Sequence, residues 1–367
     1  MKRRTLLRAG LTVGSASVAG CLGVLETESV WQSIPVVEDR PDAVYLPAGA
    51  EEMATYGVSH SGDYGFALQY TFPHRFYNIT EAGTKRVDVQ ESDAMHLMVT
   101  IWDRETGTVL PAEPQVDIYS GGSLVTSLRP WAMISQRMGF HYGDNVQLDG
   151  EGTYTAEIRT APINARLVGD LEDRLRETAT TEIEFEYDVD DIYDLSFEEY
   201  DESERGRRDA APLMNGREGG ENGEHDEHDM HAPVSVVLAP DTLPGRSLGT
   251  ESSSDAVFAA SLVDGGSRFD ERPYLLISPR TPYNRVPLPE MSLTATGFRG
   301  GEAVFSGEQL SAALDPDVDS HYGLAAESLG TVDTVRINVT APPGVLRHDG
   351  YETAFLDIDP VEFSLED

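Results

Sequence analysis

The sequence predicts an all-β protein made of two tandem β-sandwiches joined by a disordered acidic linker. Three observations point there. Short segments with period-two alternation of apolar and polar residues recur along most of the chain, bounded by Gly, Pro, Asp and Asn. One internal stretch, about 197–232, is nearly free of apolar residues. The segments on its two sides repeat the same landmarks at the same spacing.

The N-terminus comes first. Lys2-Arg3-Arg4-Thr5-Leu6-Leu7 resembles a twin-arginine export signal, and the short apolar run after it ends in Val18-Ala19-Gly20-Cys21, the form of a lipobox. Cys21 is the chain's single cysteine, so it has no disulfide partner and stands where lipoprotein processing would attach lipid. Residues 1–21 are therefore expected to be a lipoprotein signal and 22–39 a tether, giving a cell-surface protein anchored to the membrane by lipid. The apolar run is too short to span a bilayer comfortably.

Charge narrows the partners. Sixty-four acidic against 27 basic residues give a net charge of -37, and only Lys2 and Lys85 are lysines. Such a surface repels phosphate, which argues against nucleic acid. A carboxylate-rich, lysine-poor composition resembles that of salt-loving archaea. In salt near 1 M the Debye length is about 3 Å, so long-range steering of ions is weak and any metal site must be local.

Strands follow in both bodies. In the first, about 40–196, they are expected at residues 65–72, 96–102, 154–159 and 182–187; in the second, about 233–367, at 234–238, 257–262, 274–277 and 335–339. Residues 170–178 and 306–314 are read as short connecting helices. Frequent turn residues between short strands favour sandwiches over other all-β forms. The stretch between the bodies is rich in glycine and charge and cannot support a core. It ends in His225-Asp226-Glu227-His228-Asp229-Met230-His231, three imidazoles, three carboxylates and a thioether, a composition that can hold a transition metal loosely without a fold.

The repeat is clearest around two His-Tyr-Gly triplets. His141 precedes Pro162 by 21 residues and His321 precedes Pro342 by 21; Leu97 precedes Gly122 by 25 and Leu276 precedes Gly301 by 25. A triplet of this kind can simply form a turn into a strand, with no role beyond structure. Near the first, however, Met133 and Met138 lie within eight residues of His141. Thioether with imidazole suits copper, particularly Cu(I), and imidazole with carboxylate suits iron.

Met133, then His141-Tyr142-Gly143-Asp144-Asn145, then Gly152-Thr153-Tyr154 and Pro162 together resemble the periplasmic iron-transport protein family. Ala43-Val44-Tyr45-Leu46-Pro47 resembles its opening strand, and the segment from Pro342 to Asp349 its closing segment. The resemblance implies Ig-like sandwiches that bind copper or iron through histidine and methionine and serve iron uptake. Carried over by residue, it implies Met133 and His141 as ligands in the first body, and His321 and His348 in the second. The family's early-strand histidine is missing from both bodies, and Val168 stands in the first where His348 stands in the second. Two arrangements could complete a site. His60, His74 or the pair His96 and Met98 could substitute, since residues i and i+2 of a strand share a face. Alternatively the bodies could pack as an intramolecular pseudo-dimer, with Met133 and His141 meeting His321 and His348; family members are homodimers with sites near the interface.

The expectation is an exported lipoprotein that binds iron or copper for metal uptake and serves an iron permease or a metal reductase, with a degenerate second repeat. The rival expectation is a non-catalytic envelope interaction protein whose duplicated domains have lost their metal sites. No hydrolase elbow, zinc-protease, P-loop or dinucleotide motif occurs, so no enzyme is expected.

Overall fold

The structure, a computed structural model, describes residues 34–80, 83–214 and 232–366. The export signal, Cys21 and the histidines 225, 228 and 231 lie outside the described residues. No helix among those described is long and apolar enough to cross a membrane.

The first half carries β1 (Gly49–Glu51), β2 (Ala54–Ser61), β3 (Tyr64–Thr71), β4 (Phe76–Thr80), β5 (Gly83–Val87), β6 (Met95–Asp103) and β7 (Gln115–Ser120). It continues with β8 (Ser123–Leu128), β9 (Trp131–Ser135), β10 (Gly139–Val146), β11 (Gly152–Thr160), β12 (Arg166–Leu167), β13 (Ala179–Tyr187) and β14 (Phe197–Glu199). The second half carries β15 (Arg246–Ser253), β16 (Ala256–Val263), β17 (Tyr274–Arg280), β18 (Ser292–Arg299) and β19 (Glu302–Gln309). β20 (Ser311–Asp315), β21 (Asp319–Ala325), β22 (Thr334–Ala341), β23 (Leu346–Arg347) and β24 (Val361–Ser364) complete it. The one α-helix among the described residues, α1 (Val189–Asp194), begins at Asp188, whose carboxylate accepts the Asp190 N–H at 2.9 Å.

Each half is a sandwich, and the all-β, Ig-like expectation holds. In the first half β13-β11-β7-β8 packs against a sheet ordered β2-β3-β6-β10-β9-β23-β4-β5; in the second β19-β18-β22-β24 packs against β12-β20-β21-β17-β16-β15. β11 and β13 alternate buried and exposed residues, because one face of their sheet meets the core and the other meets water. β3 and β6 are buried at every position, which places them at the centre with both faces covered.

The halves exchange edges. β23, from the second half, lies parallel to β9 and antiparallel to β4, while β12, from the first, lies parallel to β20. The His348 N–H reaches Ile134 O at 3.2 Å, and the Val168 N–H reaches Leu314 O at 2.9 Å in the equivalent place. Buried apolar residues of both halves join in one continuous cluster. The chain thus packs its two repeats as a pseudo-dimer.

Several local expectations fail. Residues 306–314 fall in strands β19 and β20, whose ladders outweigh a weak helical pattern. Residues 170–178 hold only the end of a 3-10 turn at Gly169–Leu171. Residues 234–238 and 43–47 form no strand, though Val44, Tyr45 and Val237 are buried. The acidic stretch also does more than link: β14 pairs with β1, the Leu46 N–H reaches Arg207 O at 2.9 Å, and the Ala211 N–H reaches Gln136 Oε1 at 2.7 Å. Backbone pairing needs no apolar side chain, so composition could not show it.

Candidate metal centre

The centre lies where the exchanged edge enters the first sheet. On β10, His141, Gly143 and Asn145 share one face by the strand's period of two. On β6, His96 and Met98 share a face, and His96 sits directly opposite Asn145. β9 places Met133 opposite His141. β23 delivers His348 from the second half, and the loop after β3 delivers His74.

These groups converge. One ring nitrogen from each of His74, His96 and His348 lies within 4.8 Å of the other two. The rings of His141 and His348 are 5.2 Å apart, centre to centre, and those of His74 and His96 are 4.1 Å apart. Gly143 makes this possible: a Cβ there would stand 2.6 Å from His96 Nε2 and 3.3 Å from Met133 Sδ. All four histidines and Met133 are buried or nearly so.

Hydrogen bonds fix the direction of each imidazole lone pair. Asn145 Nδ2 donates to His74 O at 2.9 Å, which orients the amide so that Oδ1 accepts from His96 Nδ1–H at 2.9 Å. His141 Nδ1–H donates to Gly139 O at 3.1 Å. His74 Nδ1–H donates to Glu51 Oε2 at 3.1 Å and to Phe72 O at 3.3 Å, so in its neutral form its Nε2 accepts from His348 Nδ1–H at 3.1 Å. The outcome is that His96, His141 and His348 each hold a bare Nε2 lone pair, buried and without any hydrogen-bond partner. Unpartnered buried acceptors are costly, and a cation that takes up their lone pairs would remove that cost. Nδ1–H bonds to carbonyl or amide oxygen are the supports that fix a ligating imidazole.

Electrostatics agree. Burial holds His141 down to about 4, and burial with the neighbouring imidazoles holds His96 and His348 well below the ordinary histidine value. These rings are neutral and ready to ligate at pH 7. His74 differs: burial pulls it down, but the Glu51 carboxylate outweighs that and leaves it raised.

The second half shows the same frame filled differently. Tyr274 stands opposite Ala325 as His96 stands opposite Asn145, and its hydroxyl occupies the space over Gly323, where a Cβ would lie 1.6 Å away. That hydroxyl donates to His321 Nε2 at 3.2 Å. Ala313 replaces Met133 opposite the histidine, and Val168 replaces His348. His321 is therefore a core histidine and does not join the cluster of the first half, contrary to the sequence expectation.

The other expected residues divide. His141, Met133, His96 and His348 meet as described. Met98 is buried and lines a cavity that also touches His74 and His348, and Met138 lines the same cavity without joining the cluster. His60 packs edge-on to Trp102 and takes no part. Glu51 and Asn145 escaped sequence reading as supports, because only the folded register shows which imidazole each one orients.

A family model described as a domain of unknown function (DUF7350) matches residues 241–364. No curated protein matches the chain. Among solved structures, a copper-bound variant of FetP from uropathogenic Escherichia coli strain F11 is 17% identical, covering 37% of this chain and 97% of that one, with a TM-score of 0.28. FetP of the same strain "as isolated" is 14% identical over 37% of this chain and 96% of that one, with a TM-score of 0.27.

Proposed function

We propose that the protein captures one transition-metal ion, copper or iron, in the buried histidine pocket of its first half, as a step in metal uptake at the cell surface. The observation that carries this reading is the set of three buried, unpartnered Nε2 lone pairs of His96, His141 and His348, each oriented from behind. Met133 Sδ stands beside His96 Nε2 across Gly143, close enough to add a thioether to the donor set, while His74 holds His348 in place from behind. Imidazoles with a thioether fit copper, and imidazoles with the nearby Glu51 carboxylate fit iron. The chain is read as a carrier rather than a catalyst, anchored through Cys21 and handing its ion to a permease or reductase.

The second half serves the first. It contributes His348 and keeps its own site closed with Tyr274, so one chain assembles one site from two repeats. The test is anaerobic titration of the full chain with Cu(I), Cu(II) and Fe(II), alongside His141→Ala and His348→Ala. One tight equivalent, weakened at least 100-fold by each substitution, is expected; tight binding that neither substitution alters would refute the pocket as the site.

A further inference from the structure

A cavity of about 400 Å³ runs from the surface to the histidine pocket, between β1 with its partner β14 and the hairpin β4–β5. Four methionines line it. Met53 and Met214 are partly exposed, Met138 is 7% exposed, and Met98, at 1%, lies on the floor beside His74 and His348. The chain has nine methionines, two of them, Met1 and Met230, outside the described residues, so four of the seven described ones face this single passage. Met53, Met138 and Met214 also border a second opening with Ala232 and Pro233.

The second half supplies an internal comparison. There Leu276 takes the place of Met98 opposite the triplet glycine, Ala313 that of Met133, and Val318 that of Met138, three residues before the triplet histidine. Where Tyr274 and Val168 have replaced the ligands, the thioethers have gone too. Apolar packing alone is satisfied by leucine, alanine or valine at these positions, so packing does not explain the sulfurs of the first half.

Charged groups at the passage are already engaged. Arg75 pairs with Asp349, Arg86 Nε with Asp88 at 2.6 Å, Glu51 with His74, and Arg137 Nη1 donates to Glu51 O at 2.7 Å. Outside the histidines, the thioethers are the neutral, soft donors facing the passage, and thioethers select soft monovalent cations over hard divalent ones.

We propose that Met53, Met138 and Met214 form an outer binding station for a soft monovalent cation of the Cu(I) class, which passes by Met98 to the histidines. The transfer to the inner pocket rests on the metal-binding reading above; the outer station does not. The probe is Ag(I), a redox-inert cation of the same class, added to the full chain in nitrate medium. Methionine-methyl and imidazole nitrogen resonances are followed together in the wild type and in Met53→Leu/Met138→Leu/Met214→Leu. Leucine conserves volume, so this variant retains its fold, checked by thermal melting.

The expected result is more than one Ag(I) per wild-type chain, with shifts at Met53, Met138 and Met214. The variant loses the outer equivalent and fills the histidines with Ag(I) at least tenfold more slowly, while its Co(II) loading keeps the wild-type rate. Unshifted methyls at those three residues, or a variant that loads Ag(I) like the wild type, would overturn the station. Shifts at the three methyls with silent imidazoles would uphold the station and instead sink the histidine pocket.

Discussion

Lowering the pH should destabilise the metal-free protein through His141, by an amount the structure sets. Burial holds this ring down to about 4, against about 6.5 in an unfolded chain. Because the folded value is depressed, the unfolded state binds the extra proton between those two values, so stability falls as pH drops through 6.5 and levels off below 4. A gap of about 2.5 pH units corresponds to about 3 kcal/mol when fully developed, and about 2 kcal/mol of it is lost between pH 7 and 4.5. Salt changes this little, since the ring is buried. Replacing His141 with leucine removes the group that takes up the proton. Urea unfolding of wild type and His141→Leu at pH 7 and pH 4.5, in the same salt, should show the variant losing about 2 kcal/mol less on acidification. Equal losses in the two proteins would refute the placement of a neutral, desolvated imidazole at this position.

Other outcomes follow from the same geometry. Asn145→Leu removes the acceptor that orients His96 and should weaken metal binding 10- to 100-fold with little change in fold, read by titration and circular dichroism. Gly143→Ala sets a methyl 2.6 Å from His96 Nε2 and should abolish tight binding, as measured by metal content after desalting. Tyr274→Phe leaves His321 Nε2 buried without its donor and should cost about 1–3 kcal/mol in urea unfolding, with metal affinity unchanged.

The sandwich strands were legible in the sequence from their alternation, as in β11 and β13; β6 was found by the same reading, although it is buried at every position and so is a central strand with both faces covered. The repeat was legible from the two triplets, and with it the possibility that the halves pair. Its frame was read one residue out on one strand: Leu97 faces Asp144, whereas Leu276 faces Gly323, so the true counterpart of Leu276 is Met98. That slip hid Tyr274 as the counterpart of His96, and so left His321 looking like a ligand. His348 was recognised through its closing segment and His96 through its i, i+2 relation to Met98. The role of Glu51 depends on a loop conformation that brings His74 to it, and that of Asn145 on cross-strand register; neither leaves a local sequence signal. The docking of residues 197–214 was hidden because it rests on main-chain hydrogen bonds together with a few scattered apolar contacts, from Phe197, Ala210, Ala211 and Leu213, too sparse to make a periodic pattern.

The central claim is that the three bare Nε2 atoms meet on one ion. The most direct test is a crystal structure of the metal-loaded full chain with anomalous scattering at the metal's absorption edge. The account predicts a single strong peak about 2 Å from Nε2 of His96, His141 and His348. A peak elsewhere, with those three nitrogens left without an ion, would contradict it.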